Sequence, residues 1–72
     1  MTGPVEVLAP VPAVTPDGTP VAALVGRTVT FDTGDGYRDG DVMEINQYGY
    51  VMVLVGPGEG WAVHPDTVAE VI

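Results

Sequence analysis

The chain has 72 residues, which is too short for more than one domain. Ten carboxylates stand against Arg27 and Arg38, and the formal net charge of -8 disfavours direct binding to nucleic acid or to an anionic membrane surface. Without Cys there is no disulfide and no thiolate metal site, and the single His leaves only an oxygen-rich site for a metal such as Ca²⁺.

Residues 1–25 are predicted to form an extended, Pro-rich N-terminal β-arm. Proline cannot donate to a strand ladder, so this region cannot be a central strand throughout. The motif TPDG at 15–18 predicts a β-turn within it. The arm is nevertheless apolar, and its side chains either cover the body of the same chain or dock on a neighbouring subunit. We assign seven of them as partner-binding residues, namely Val5, Val7, Leu8, Val11, Val14, Val21 and Leu24.

Alternation of apolar and polar residues predicts strands from residue 26 onwards. RTVTF at 27–31 places Val29 and Phe31 on one buried face. A long acidic loop follows, and DVMEIN at 41–46 predicts a second strand with Met43 and Ile45 pointing inward. The next segment, YGYVMVLVG, predicts a Tyr-Gly turn and a central strand that is buried on both faces.

The C-terminal residues predict two further short strands. WAVHP ends at Pro65, DTV then reads as one 3₁₀ turn capped by Asp66, and AEVI forms the last strand. This order of elements over residues 26–72 resembles the SH3-like small barrels, the fold of Tudor and KOW domains and of many phage and bacterial accessory proteins. The resemblance rests on GRTVTF, the long loop, the hairpin DVMEINQYGYVMVLV and the closing WAVHPDTVAEVI. It implies an all-β, five-stranded barrel and says little about function.

The stretch FDTGDGYRDGDVME at 31–44 is the first candidate site. Read as a Ca²⁺ loop of the EF-hand type from Asp35, its twelfth position is Asn46, so the bidentate Glu is missing. We interpret it instead as a solvated connection in which Arg38 lies among the carboxylates and relieves their repulsion. No metal and no cofactor are predicted.

An aromatic surface is the second candidate site. The resemblance to SH3-like barrels implies a groove flanked by the long loop and the fourth strand, for a Pro-rich peptide or a methylated Lys. Alternatively, the Trp61 indole completes a small core or a subunit interface instead of lining a groove. The candidate groove residues are Tyr37, Arg38, Tyr48 and Trp61.

The residue types disfavour enzymatic activity. The sequence has neither Ser nor Cys to act as a nucleophile beside His64, which excludes a catalytic triad. No Gly-rich phosphate motif follows a strand and opens a helix.

Three functions agree with these features. The first is a structural accessory subunit of a bacteriophage, decorating or stabilising the capsid, which docks or self-associates through its arm. Such a protein is made in the host cytoplasm and then enters the virion. The alternatives are an acidic, host-directed inhibitor that imitates DNA, and a peptide-binding SH3-like adaptor.

Overall fold

A computed structural model of the protein describes residues 11–72. Its architecture is all-β, as predicted, with five antiparallel strands in one sheet of order β4–β3–β2–β1–β5. In this part of the chain, no helix is both long enough and apolar enough to cross a membrane. The strands are β1 (Thr28–Asp32), β2 (Tyr37–Ile45), β3 (Val51–Gly56), β4 (Glu59–Val63) and β5 (Val68–Val71), and the 3₁₀ turns are Val21–Leu24 and Pro65–Thr67.

One apolar cluster lies against the inner face of the sheet. Every second side chain of a strand points to the same face, which brings one or more valines of each neighbouring strand into contact. The predicted inward residues Val29 and Phe31 are confirmed, since both are almost fully buried. Removing this apolar area from water is the main stabilising contribution to the fold. The core consists of Val21, Leu24, Val29, Phe31, Val42, Val51, Val53, Val63 and Val68.

The connection between the first two strands is shorter than predicted. The sequence predicts a loop over residues 32–40, whereas the turn occupies residues 33–36 and β2 begins at Tyr37. The turn is tight because the Thr33 amide donates to the Gly36 carbonyl at 2.8 Å. Pairing between β1 and β2 therefore extends through residues that were predicted as loop.

A bulge in β2 reverses the predicted orientation of Met43. The pairing of β2 with β3 shifts register between Val42 and Glu44, and such a bulge sets two residues against one. Met43 was predicted to point inward but is 58% exposed, and Val42 takes the buried position instead. The inward prediction holds for Ile45, which packs against the core.

Strand β3, which has a neighbouring strand on each side, is buried on one face rather than on both. Val51 and Val53 are buried, but Met52 is half-buried and Leu54 is 39% exposed. The core lies on the inner side of the sheet, so a strand of continuous apolar residues leaves alternate side chains at the surface. The two-sided burial predicted from the apolar run is therefore wrong.

The described part of the N-terminal region, residues 11–25, packs partly into the core of its own chain. The predicted turn is confirmed, with the Gly18 amide donating to the Thr15 carbonyl at 2.9 Å. The following 3₁₀ turn buries Val21 and Leu24 in the core. This corrects their assignment as partner-binding residues, because side chains that are at most 5% exposed in their own core have almost no surface left for a partner.

The other predicted arm residues lie in different places. Val11 is half-buried beside the turn between β2 and β3, where a Cβ built on Gly49 would lie 3.2 Å from the Val11 Cβ. Val14 is 46% exposed. The rest of this prediction, on Val5, Val7 and Leu8, lies outside the described residues.

The second 3₁₀ turn precedes the last strand, as predicted. Its cap is His64 rather than Asp66, because the His64 Nδ1 accepts a hydrogen bond from the Asp66 amide at 3.1 Å. Pro65 occupies the first position of the turn, where its missing N–H removes no hydrogen bond.

Candidate functional site

Two of the four predicted groove residues meet at one end of the inner face. The Trp61 ring is half-buried and tilted against Phe31, with ring centroids 5.7 Å apart. Glu59 Oε2 accepts from Trp61 Nε1 at 3.0 Å and from Arg38 Nη1 at 3.3 Å. The Arg38 Cζ lies 5.7 Å from the Trp61 ring centroid. Because each of the two charged side chains is nearly half exposed to solvent, their ion pair contributes less than about 1 kcal/mol.

Tyr37 and Tyr48 lie away from this cluster. Tyr37 precedes Arg38 in β2, so its side chain points to the opposite face of the sheet, where it is 67% exposed. Tyr48 is 68% exposed in the turn at the other end of β2. The four predicted residues therefore do not form one groove. Trp61 packs against the core, which agrees with the alternative prediction that its indole completes a small core.

The outer face of β5, β1 and β2 carries a group of carboxylates. Thr28 Oγ1 donates to Asp41 Oδ1 at 2.8 Å, and Thr30 Oγ1 donates to Asp39 Oδ1 at 2.7 Å. Both bonds join residues that are directly opposite in the β1–β2 pairing, so each hydroxyl holds its carboxylate in place. On the other side of β1, a glutamate of β5 is in register with Thr30. We call Asp32, Asp39, Asp41 and Glu70 together the acidic face.

Neither arginine neutralises the acidic face. Arg38 was predicted to lie among the loop carboxylates, but the alternation of β2 directs it to the inner side and to Glu59. Arg27 donates from Nε and Nη2 to the Ile72 carbonyl oxygen at 3.3 and 3.2 Å. These are the only two strongly basic side chains in the sequence, so within residues 11–72 no Lys or Arg compensates the negative charge of the acidic face.

The carboxylate of Asp17 has a local structural role. It accepts from Thr15 Oγ1, from Thr19 Oγ1 at 2.9 Å and from the Thr19 amide at 3.1 Å. These hydrogen bonds, that of Thr15 first, hold the pKa of Asp17 below its ordinary value. Within residues 11–72, no three His, Cys, Asp or Glu side chains are grouped so that they could hold a metal ion.

Comparisons with protein-family models, with curated proteins and with solved structures give no match for this chain. The functional proposal below therefore rests on the chemistry of the described residues.

The acidic face was only partly visible in the sequence. Two threonines, Thr28 and Thr30, and two aspartates, Asp39 and Asp41, each have one residue between them in the sequence. When the two segments pair, each hydroxyl lies directly opposite a carboxylate. Treating Asp39 as a loop residue concealed that pairing. The contribution of Glu70 had no local signal, because β5 reaches β1 from the far end of the chain.

Proposed function

We propose that the chain is a non-enzymatic protein-interaction subunit that binds a basic protein surface through its acidic face. One observation carries the proposal: four exposed carboxylates occupy outward positions of three neighbouring strands, while both arginines are engaged elsewhere. Carboxylates fixed on strands keep their separation when a partner approaches. Such an arrangement favours fast, oriented association with a positively charged surface.

The fold that we propose for this subunit is the SH3-like barrel. The sheet order places β4 and β5 at its two edges, which are the strands that meet when a five-stranded sheet curls into a small barrel. Register shifts in three of the four strand pairings support strong curvature. All five strands also contribute to a single core, as the inside of a barrel requires.

Charge-matched variants test the role of the acidic face. The double variant Asp39→Asn/Asp41→Asn keeps the acceptors for the two Thr hydroxyls but removes two negative charges. Its control, Asp35→Asn/Glu59→Gln, removes the same net charge from a turn and from the inner side. The probe is a lysine-rich peptide at low ionic strength, with binding followed by calorimetry.

We expect the first variant to bind the peptide about fivefold more weakly, since each exposed ion pair contributes about 0.5 kcal/mol. The control should stay within about twofold of the unaltered protein, and added salt should weaken all binding. Equal losses in the two variants would mean that net charge alone attracts the peptide, and would contradict a defined acidic face.

A second candidate, the bacteriophage virion accessory subunit, is supported by exposed apolar side chains at the start of the described region. Val14 is 46% exposed and Val25 is 50% exposed. A subunit that decorates a capsid, or that associates with copies of itself, would bury such residues together with the apolar segment before them. An acidic inhibitor of a DNA-binding protein remains the alternative that uses the acidic face itself.

Light scattering on a truncated chain tests the accessory candidate. Removing residues 1–10 should convert an assembled species to a monomer while the fold persists. Removing residues 1–25 is not a valid comparison, because that deletion takes Val21 and Leu24 out of the core. An unchanged mass after the shorter deletion would contradict docking through the N-terminal segment.

A further inference from the structure

The outer face of the sheet changes from acidic to apolar between β2 and β3. The outward positions of β3 are Met52 and Leu54, and they pair with Ala62 and Gly60 of β4. Leu54 is also directly opposite Asp41 of the acidic face. We call Met52, Leu54 and Ala62 the apolar strip. Met52 is half-buried, Leu54 and Ala62 are exposed, and none of the three belongs to the core.

A shallow depression of about 280 Å³ marks the boundary between the two halves. Leu54 lines one side of it, and Asp39 and Asp41 line the other. Gly56, which also lines it, has no side chain to fill the space, and a Cβ built there meets no atom within 4 Å. The depression therefore offers an apolar wall next to two carboxylates.

We propose that this boundary is the docking site for a basic amphipathic segment of a partner protein. An apolar side chain of the segment lies on the apolar strip, and a Lys or Arg lies in the depression. The aliphatic stem of that residue contacts Leu54, and its charged end reaches Asp39 and Asp41. This inference rests on the proposed function, because it specifies the chemistry of the partner that the acidic face binds.

Charge decides between this partner and a second copy of the chain. The protein has a net charge of -8, so a symmetric dimer formed through the strip brings together two copies with the same strong negative charge. Like charges brought together at an interface oppose association. A basic amphipathic segment instead complements both halves of the outer face, because its positive charges pair with the acidic face and its apolar side chains contact the apolar strip.

Two synthetic peptides of equal length and equal Lys content separate the contribution of the apolar strip to binding from that of the acidic face. One has Leu at positions i, i+3, i+4 and i+7 among the lysines, so that a helix has one apolar side, and the other carries Ser in place of every Leu. The variants are Leu54→Thr, with Met52→Thr as a second variant on the strip. Val25→Thr is the matched control, since Val25 is 50% exposed and lies elsewhere.

We expect the Lys/Leu peptide to bind more tightly than the Lys/Ser peptide, and Leu54→Thr to weaken it by about tenfold. The same variant should leave the affinity for the Lys/Ser peptide unchanged, and Val25→Thr should change the affinity for neither peptide.

If Leu54→Thr and Met52→Thr have no effect while Asp39→Asn/Asp41→Asn still weakens binding, the apolar strip is not a docking site but the proposed function stands. Failure of both peptides to bind would overturn both. A dimer of the protein that Leu54→Thr dissociates would assign the strip to a second copy and overturn this inference.

Discussion

Gly40 occupies a position in β2 that leaves no room for a side chain. A Cβ built there collides with the Val53 side chain and lies 3.0 Å from both the Leu54 carbonyl oxygen and Val55 Cγ1. Gly40→Ala should therefore destabilise the protein by about 1–3 kcal/mol, as overpacking of a core does. Urea denaturation measures the loss.

Gly56→Ala is the matched control for this prediction. A Cβ at Gly56 meets nothing within 4 Å, and its φ is not in the left-handed region. We expect a change within about 0.5 kcal/mol at that position. Equal losses of stability at the two glycines would contradict the collision with Val53 as the cause.

Asp17 makes a second residue-scale prediction, on acid stability. Folding lowers the pKa of this carboxyl, chiefly through the Thr15 hydroxyl and then through Thr19. A lowered pKa contributes stability that is fully present above the pKa of the unfolded chain and is lost as the pH falls through the folded-state pKa. Asp17→Asn should thus be less stable than the unaltered protein near neutral pH, and the difference should close in acid.

Thermal unfolding of the two proteins at a series of pH values measures this difference. Asp35→Asn serves as the control, since it also removes one carboxylate but, within residues 11–72, the Asp35 side chain accepts no hydrogen bond. A stability difference for Asp17→Asn that is independent of pH would contradict the role of the charged carboxylate.

At the scale of the element, the cap of the second 3₁₀ turn depends on an acceptor at residue 64. His64 accepts from the Asp66 amide through Nδ1, so His64→Ala should cost about 1 kcal/mol, and His64→Asn should retain most of the stability. Hydrogen exchange of the Asp66 amide is the measurement. Protection that survives in the Ala variant would show that the cap does not hold this turn.

Most strands could be predicted from the sequence because alternation and breakers mark them locally. The segments around Val29, Val53 and Val63 alternate or run apolar, and Pro65 ends the fourth strand. The start of β2 at Tyr37 could not be predicted, since Asp and Gly have low strand propensity and only pairing with β1 makes the segment extended.

The bulge and the candidate site were less predictable for related reasons. The exposure of Met43 follows from a register shift that no local pattern marks. The start of β2 also decides the site, because pairing from Tyr37 onward sends Tyr37 and Arg38 to opposite faces. The sequence therefore pointed to an aromatic groove, whereas the structure presents a carboxylate surface.

At the scale of the whole molecule, the two sides of the sheet differ in composition. The inner side buries the core, which Val21 and Leu24 complete from the N-terminal region. The outer side carries fixed carboxylates on β1, β2 and β5 and the apolar strip on β3 and β4. If the outer side is the binding surface, as we propose, substitutions there should change binding with little effect on stability, since each strand directs alternate side chains to opposite faces.

The central claim is that the acidic face binds a basic partner, and amide chemical-shift mapping with the lysine-rich peptide tests it most directly. Shifts should concentrate on β1, on β2 from Asp39 to Asp41, and around Glu70, and they should decrease as salt is added. Shifts centred on Glu59 and Trp61, or spread evenly over all carboxylates, would contradict it.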